Sequence, residues 1–137
     1  MSLVLDSSVT LAWVYADETT EPVRHVFDIL SREGAWVPGL WRLEVAHVLE
    51  IGVRRGRHSA AFRDAALDDL LLLPIQVDEE TDGHAWGETL SLAERHGLTL
   101  YDAAYLDLAL RKNVPLATLD QDLGRAAAGE NVKLLGS

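Results

Sequence analysis

The sequence contains no cysteine and no long hydrophobic run. The absence of cysteine excludes disulfides and thiolate metal sites, and it fits a protein of the reducing cytoplasm. The run of four leucines at Leu70–Leu73 is far shorter than the ~18 residues that cross a bilayer. The apolar N-terminus has no basic start and contains Asp6, which argues against a secretory signal. We therefore expect a cytoplasmic protein with no membrane partner.

Basic residues are also scarce. The chain has 12 Lys and Arg against 22 Asp and Glu, which gives a formal net charge of −10. This balance argues against long-range attraction of RNA or DNA, because nonspecific nucleic-acid binding depends on a basic surface. An RNA would have to be held locally, and the best basic cluster for it is Arg54, Arg55 and Arg57, followed by His58. The alternative for this cluster is a solvated helix C-terminus, where cations interact favourably with the helix dipole.

Length and hydrophobic pattern predict one α/β domain over residues 1–137. The chain has 137 residues, 48% of them hydrophobic, which is enough for one core and too little for two ordinary domains. Short apolar segments alternate with amphipathic ones, which predicts a mostly parallel sheet of about four or five strands flanked by about seven helices. The predicted strands are Ser2–Asp6, Ala35–Val37, Ile75–Val77, Val114–Leu119 and Val132–Leu134. The predicted helices are 7–16, Glu21–Glu33, Leu40–Arg55, 59–73, Thr81–His96, 99–112 and Gln121–Ala128, with Ser59 and Thr99 as caps.

Four acidic residues, Asp6, Glu44, Asp102 and Asp120, lie where the local pattern predicts burial or a strand end. Glu44 and Asp102 have no Lys or Arg three or four residues away on their helices. Three of the acids have a definite structural alternative: Glu44 as a partly buried side chain that reaches solvent, Asp102 as a helix-start acid, and Asp120 as a helix N-cap. Asp6 is the hardest to explain structurally, because an acid that ends a buried strand has few structural roles.

Together the four acids predict a metal site. If they converge to separations of ~5 Å at an effective dielectric of ~20, each pair repels by about 3 kcal/mol. Six such pairs approach ~20 kcal/mol, which exceeds the ~5–15 kcal/mol stability of a small domain. Either the pKa values rise or a cation binds among the carboxylates, and oxygen ligands select Mg²⁺ or Mn²⁺ rather than zinc.

The remaining charged and aromatic residues fit ordinary roles. Asp107 with Arg111 is predicted to be a solvated i,i+4 pair. The sequence has no GxSxG, GxxxxGK[ST] or HExxH motif, and its five histidines show no ligand spacing. The four tryptophans are assigned to the core: Trp13, Trp36, Trp41 and Trp86.

The acids and their surroundings closely resemble the PIN-domain family. The matching features are Asp6 followed by Ser7-Ser8, Glu44 in LWRLEVAHVL, Asp102 in YDAAYLDLA, and the run Thr118-Leu119-Asp120 after a strand. The closest resemblance is to the VapC branch, the ribonuclease toxins of bacterial toxin–antitoxin pairs. No single motif is specific, but the four acids occur in the right order over essentially the whole chain.

The resemblance implies a PIN-like parallel-sheet fold that binds one or two Mg²⁺ or Mn²⁺ ions. Asp6, Asp102 and Asp120 would ligate the metal directly or through water. Glu44 would complete the site as a ligand or as a base that orients the attacking water. The implied chemistry is hydrolysis of an RNA phosphodiester bond by metal-activated water.

The same resemblance implies supporting residues and partners. Ser8 and Thr118 match the family's hydroxyl positions, which support the carboxylates by hydrogen bonds. Asp122 would be an outer acid or a substitute for Asp120. The implied partners are an RNA substrate, a small VapB-like antitoxin and a second copy of the chain in a homodimer.

Three other functional interpretations compete with a PIN-domain ribonuclease. A phosphatase of the haloacid dehalogenase type also begins with a strand ending in Asp, but it needs a second Asp where this chain has Ser8 and a later supporting Lys, and the only two lysines are Lys112 and Lys133. A receiver-like phosphoacceptor would need clustered N-terminal acids and a late Lys after a strand, and neither appears. A PIN-fold module with weak catalysis could act by sequestering a partner or RNA.

Overall fold

Strands and helices alternate along the chain, as the hydrophobic pattern predicted. The structure is a computed structural model, and it describes residues 2–137. The strands are β1 Leu3–Leu5, β2 Ala35–Val37, β3 Ile75–Val77, β4 Leu116–Ala117 and β5 Leu134–Leu135. The helices are α1 Ser7–Val14, α2 Glu21–Glu33, α3 Trp41–Arg54, α4 Ala60–Leu71, α5 Thr81–His84, α6 Glu88–His96, α7 Leu100–Lys112 and α8 Gln121–Gly129, with a 3₁₀ turn at Ala16–Glu18.

The five strands form one parallel sheet in the order β3-β2-β1-β4-β5. In the centre, Val4 of β1 pairs with Trp36 of β2 on one side and Leu116 of β4 on the other. The chain extends the sheet first toward β3 and later toward β5, so the strand order reverses at β1. Open α/β sheets bind ligands beside the carboxyl ends of strands at such a reversal. The predicted fold class is confirmed, and the edge beyond β1 and β4 is the place where this rule predicts a site.

The core packs on both faces of the sheet. The residues of β1 are fully buried, as expected for a central parallel strand with helices on either side. Trp41 is also buried, and its indole N–H donates to Thr10 Oγ1 at 3.0 Å, which ties α3 to α1. Within residues 2–137, every helix is too short or too polar to span a membrane.

Helix α7 runs through the interior, with the seven consecutive residues 103–109 buried. The prediction of a solvated Asp107–Arg111 pair is wrong, because Asp107 is 3% exposed. Arg111 bridges Asp107 to the buried Asp78, with N–O distances of 2.8 Å and 2.7 Å. Helical spacing alone shows a possible pair, whereas its burial depends on the segment after β3 packing against α7.

The structure confirms two predicted helix caps. Ser59 Oγ accepts a hydrogen bond from the N–H of Phe62 at 3.0 Å, and Thr99 Oγ1 accepts one from the N–H of Asp102 at 3.1 Å. Both side chains satisfy N–H groups that have no partner within the first turn of their helices. The cap at Thr99 sets where α7 starts and therefore where Asp102 lies.

Other predicted details are wrong. The predicted helix Thr81–His96 is two helices, since Gly87 interrupts it at φ −112° and ψ −106°. Trp86, in this interruption, is 92% exposed and does not belong to the core. Trp13 and Trp36 are partly buried against the core rather than within it. The predicted strand Val114–Leu119 is shortened to β4, although the N–H of Thr118 still donates to the carbonyl oxygen of Leu135 at 3.2 Å.

Candidate active site and metal centre

Asp6 follows the central strand β1 and is 3% exposed. Its Oδ2 accepts hydrogen bonds from Ser8 Oγ at 2.6 Å and from Thr118 Oγ1 at 2.7 Å. Ser7 Oγ lies 3.4 Å from Oδ1. These hydroxyls hold the carboxylate in one orientation at the edge of the sheet. Ser8 and Thr118 thus hydrogen-bond to Asp6, and their supporting role in a site stays a prediction.

The segment between β4 and α8 brings Asp120 to the same edge. The N–H of Leu119 donates to Ser8 Oγ at 3.0 Å, and the N–H of Asp120 donates to Thr118 Oγ1 at 3.0 Å. Asp120 Oδ1 accepts from the N–H of Leu123 at 2.9 Å, so Asp120 is the N-cap of α8, as its structural alternative proposed. Capping occupies one carboxylate oxygen and is compatible with a second role for the other.

Glu44 enters the site from the first turn of α3. Its Oε1 accepts a hydrogen bond from the hydroxyl of Tyr105 in α7 at 2.5 Å. Burial is the main cause that raises the pKa of Glu44; the Tyr105 hydrogen bond lowers it and the charge of Asp6 raises it. Glu44 is thus half-buried among polar groups of other elements, and not only among the apolar residues of its own helix.

Tyr105 is a member of the site that sequence reasoning missed. From the sequence it is only an apolar neighbour of Asp102, three residues further along the same helix. Its side chain is fully buried, and burial with the nearby charges of Asp6 and Glu44 raises the pKa of its hydroxyl well above the ordinary value. The hydroxyl therefore keeps its proton and acts as a hydrogen-bond donor at every physiological pH.

Asp102, in the first turn of α7, interacts electrostatically with the three other acids. Burial is the largest cause that raises its pKa, and the charges of Asp120, Asp6 and Glu44 raise it further, from 3.8 to about 6. The pKa of Asp6 is also raised, mainly by burial. Because Coulomb repulsion decreases with distance, these mutual effects show that the fold gathers all four acids at one edge.

The composition of this cluster fits a hard divalent cation. Within residues 2–137, none of the four carboxylates forms an ion pair with Lys, Arg or His. In the same range, no group of three His, Asp or Glu side chains is already arranged around a cation position. Binding would therefore require at least some of these side chains to move toward a common point. An all-oxygen donor set without a compensating base, in which the pKa values of Asp6, Glu44 and Asp102 are raised, suits Mg²⁺ or Mn²⁺.

Asp122 differs from the four acids of the cluster because it forms an ion pair. It is exposed on α8, and its Oδ1 is 3.2 Å from a guanidinium nitrogen of Arg125. Its assignment as an outer acid stays a prediction, and an exposed ion pair of this kind contributes little to stability.

The arginines proposed for RNA contact lie at the opposite end of α3 from Glu44. At 1.5 Å per residue, Arg54 is ~15 Å further along the helix. Arg54 pairs with Glu50 at 3.1 Å. Arg57 pairs with Glu18 at 2.8 Å and lies 3.5 Å above the ring of Tyr15. Two of the three predicted RNA-binding side chains are therefore already engaged within the protein.

The raised carboxylate pKa values predict a pH-dependent stability of the metal-free protein. A carboxyl group whose pKa is higher in the folded state favours folding when protonated, so its contribution is present below about pH 4 and is lost as the pH rises toward 6. In EDTA, we expect Asp102→Asn to melt close to the wild type at pH 4 and above it at pH 7. Thermal melts across this range check the prediction; a variant that melts below the wild type at pH 7 would contradict it.

Comparison with known proteins agrees with this fold. Residues 3–129 match the family model of the PIN domain. The chain is 30% identical to Ribonuclease VapC3 of Pyrobaculum aerophilum over 90% of its length and 92% of that protein. The crystal structure of PAE2754 from Pyrobaculum aerophilum matches with a TM-score of 0.71 at 24% identity. The match covers 98% of the present chain and 83% of the PAE2754 chain. The structure of VapBC2 from Rickettsia felis, bound to a DNA fragment from its promoter, has a TM-score of 0.66 at 14% identity. The match covers 98% of the present chain and 97% of the Rickettsia felis chain.

Proposed function

Since this chain belongs to the PIN-domain family and to its VapC-like branch, we propose that it is a Mg²⁺- or Mn²⁺-dependent endoribonuclease that acts as the toxin of a toxin–antitoxin pair. The observation that carries the proposal is the convergence of four carboxylates without a basic partner at the edge beyond β1 and β4. The ribonuclease activity named for VapC3 is a precedent for the proposal. We propose that residues 1–137 act as a single PIN domain in the cytoplasm.

The proposed mechanism assigns a role to each acid. Asp6, Asp102 and Asp120 would hold the cation, and Glu44 would complete the site or orient the attacking water. A bound Mg²⁺ or Mn²⁺ supplies a more acidic water and stabilises negative charge that develops on the phosphoryl group. The hydroxyl groups around Asp6 fix its carboxylate before the cation arrives, so little reorganisation is needed at that ligand.

Substrate recognition must work without a basic surface. The net charge of −10 opposes an RNA at long range, and the pairing of Arg54 and Arg57 leaves Arg55 as the free member of the predicted cluster within residues 2–137. We propose that the enzyme selects an RNA by its shape or by a single-stranded loop, whose unstacked bases offer contacts that do not depend on charge. Cleavage would then be restricted to few sites.

The acidic cluster also suggests how the enzyme is inhibited. In the similar Rickettsia felis structure, the assembly is VapBC2. For this chain we propose a small VapB-like antitoxin with basic and apolar residues, one Arg of which reaches the cluster of Asp6 and Asp102. A guanidinium is the natural competitor there, because it neutralises carboxylates through paired hydrogen bonds. A homodimer is proposed by family resemblance.

Mapping of RNA ends in cells tests the function. Cells that express the wild type for a short period should accumulate new RNA ends at a few positions and should stop growing. Cells that express Glu44→Gln at the same level should do neither, because the fourth acid is neutralised. New ends spread evenly over the transcripts, or equal in both cultures, would contradict the proposal. Mn²⁺ binding by a protein that yields no new ends would instead favour the sequestering module.

A further inference from the structure

The hydroxyl of Tyr105 is a buried hydrogen-bond donor within a group of acids. The Tyr105 side chain is fully buried in α7, and its hydroxyl contacts Glu44 Oε1 across the site. A buried tyrosine needs a partner for its hydroxyl, but any carbonyl oxygen could serve. Here the partner is a carboxylate that already experiences the negative charge of Asp6.

The position of Tyr105 on α7 couples two parts of the site. Asp102 and Tyr105 are three residues apart, so they lie on neighbouring positions of one helix face. Glu44 belongs to α3, which is tied to α1 through Trp41 and Thr10. The Tyr105–Glu44 hydrogen bond therefore joins the helix that carries Asp102 to the helix that carries Glu44.

On the basis of the proposed function, we propose that Tyr105 is a positioning residue, which holds Glu44 through one carboxylate oxygen and presents the other to the cation or its water. Repulsion from Asp6 would turn an unrestrained Glu44 away from the cluster. A hydrogen bond from a neutral donor opposes that rotation without adding a cation that would compete with the metal. The deep burial of Tyr105 adds rigidity, since its ring cannot move without displacing the core.

Tyr105→Phe tests this role because it removes the hydroxyl and keeps the ring. At saturating Mn²⁺, we expect kcat to fall about tenfold with KM within about twofold of the wild type, and the Kd for Mn²⁺ to rise about tenfold, as for other residues that orient metal ligands. Calorimetric titration of Mn²⁺ supplies a measurement independent of cleavage. Tyr15→Phe is the matched control, because Tyr15 is also buried and its hydroxyl forms a hydrogen bond with His58 at 2.9 Å, but it contacts none of the four acids. In this variant kcat and the Kd for Mn²⁺ should stay within about twofold of the wild type.

A double-mutant cycle separates positioning from general stability. In a Glu44→Ala background the Tyr105 hydroxyl has no carboxylate to hold, so Tyr105→Phe should change the Mn²⁺ affinity by less than about twofold. An equal loss in both backgrounds would overturn the positioning role, as would an unchanged Kd and kcat in the single variant. A wild-type protein that binds no Mn²⁺ would refute the proposed function, and the positioning role with it. If the wild type binds Mn²⁺ and Tyr105→Phe changes neither the Kd for Mn²⁺ nor kcat, only the positioning role is overturned.

Discussion

Asp6→Asn is expected to reduce RNA cleavage by at least about 1000-fold, equivalent to ~4 kcal/mol of transition-state stabilisation, while the metal-free protein becomes more stable. The loss of activity follows from the position of Asp6 at the centre of the cluster, where its charge influences both Glu44 and Asp102. An amide has the same size as the carboxylate but no charge to hold a cation.

The gain in stability follows from burial. Desolvation is the largest effect on Asp6 and raises its pKa, although the hydroxyls of Ser8 and Thr118 partly offset it. The folded state therefore disfavours the ionised form at pH 7, and replacing it by a neutral side chain removes that cost. Opposite signs for activity and stability are typical of a residue retained for function.

Initial rates of cleavage of a short RNA, together with melting temperatures in EDTA at pH 7, measure both effects. Asp28→Asn is a suitable control, because Asp28 is an exposed acid of α2 and should change neither quantity. Cleavage by Asp6→Asn within tenfold of the wild type would refute its proposed role. A melting temperature below that of the wild type would mean that Asp6 is needed mainly for the fold.

Removal of divalent cations is expected to abolish cleavage, and addition of Mn²⁺ is expected to restore it and to raise the melting temperature by on the order of 10 °C. At a free concentration of 100 times Kd, a ligand that binds only the folded state stabilises it by about 2.7 kcal/mol. For a chain of this size, each kcal/mol corresponds to roughly 3–6 °C. The stabilisation arises because the cation neutralises acids that otherwise repel one another.

The measurement compares melts and cleavage in EDTA, Mg²⁺ and Mn²⁺. Asp6→Asn serves as the control, because it should show a much smaller cation-induced rise in melting temperature than the wild type. Potassium chloride at matched ionic strength should have little effect on either protein, which separates specific binding from screening. Cleavage that persists in excess EDTA would refute the metal-dependent mechanism even if the RNA ends were specific.

Local patterns were sufficient for much of the fold. The alternation of short apolar and amphipathic segments predicted the parallel α/β class, and the caps Ser59 and Thr99 were recognised because N-cap bonds form within four residues. The errors arose at a local break in a helix and at a contact between distant segments. Trp86 is hydrophobic but lies in a break between α5 and α6 that leaves it exposed, and Asp107 is charged but is buried against a partner from another element.

The sequence by itself determined the order of the four acids, the helices and strands that carry them, and the net charge that opposes RNA at long range. Only the tertiary structure decided that Asp6 and Asp120 meet, because strands from opposite ends of the chain become neighbours only when the sheet order reverses at β1. The tertiary structure also identified Tyr105 as a residue of the site. In the sequence, a tyrosine on an apolar helix face looks like a core residue, and only the packing of the helices shows that Glu44 accepts its hydrogen bond. Short-range periodicity encodes which face of an element is buried, whereas contacts between elements depend on how all of them pack together.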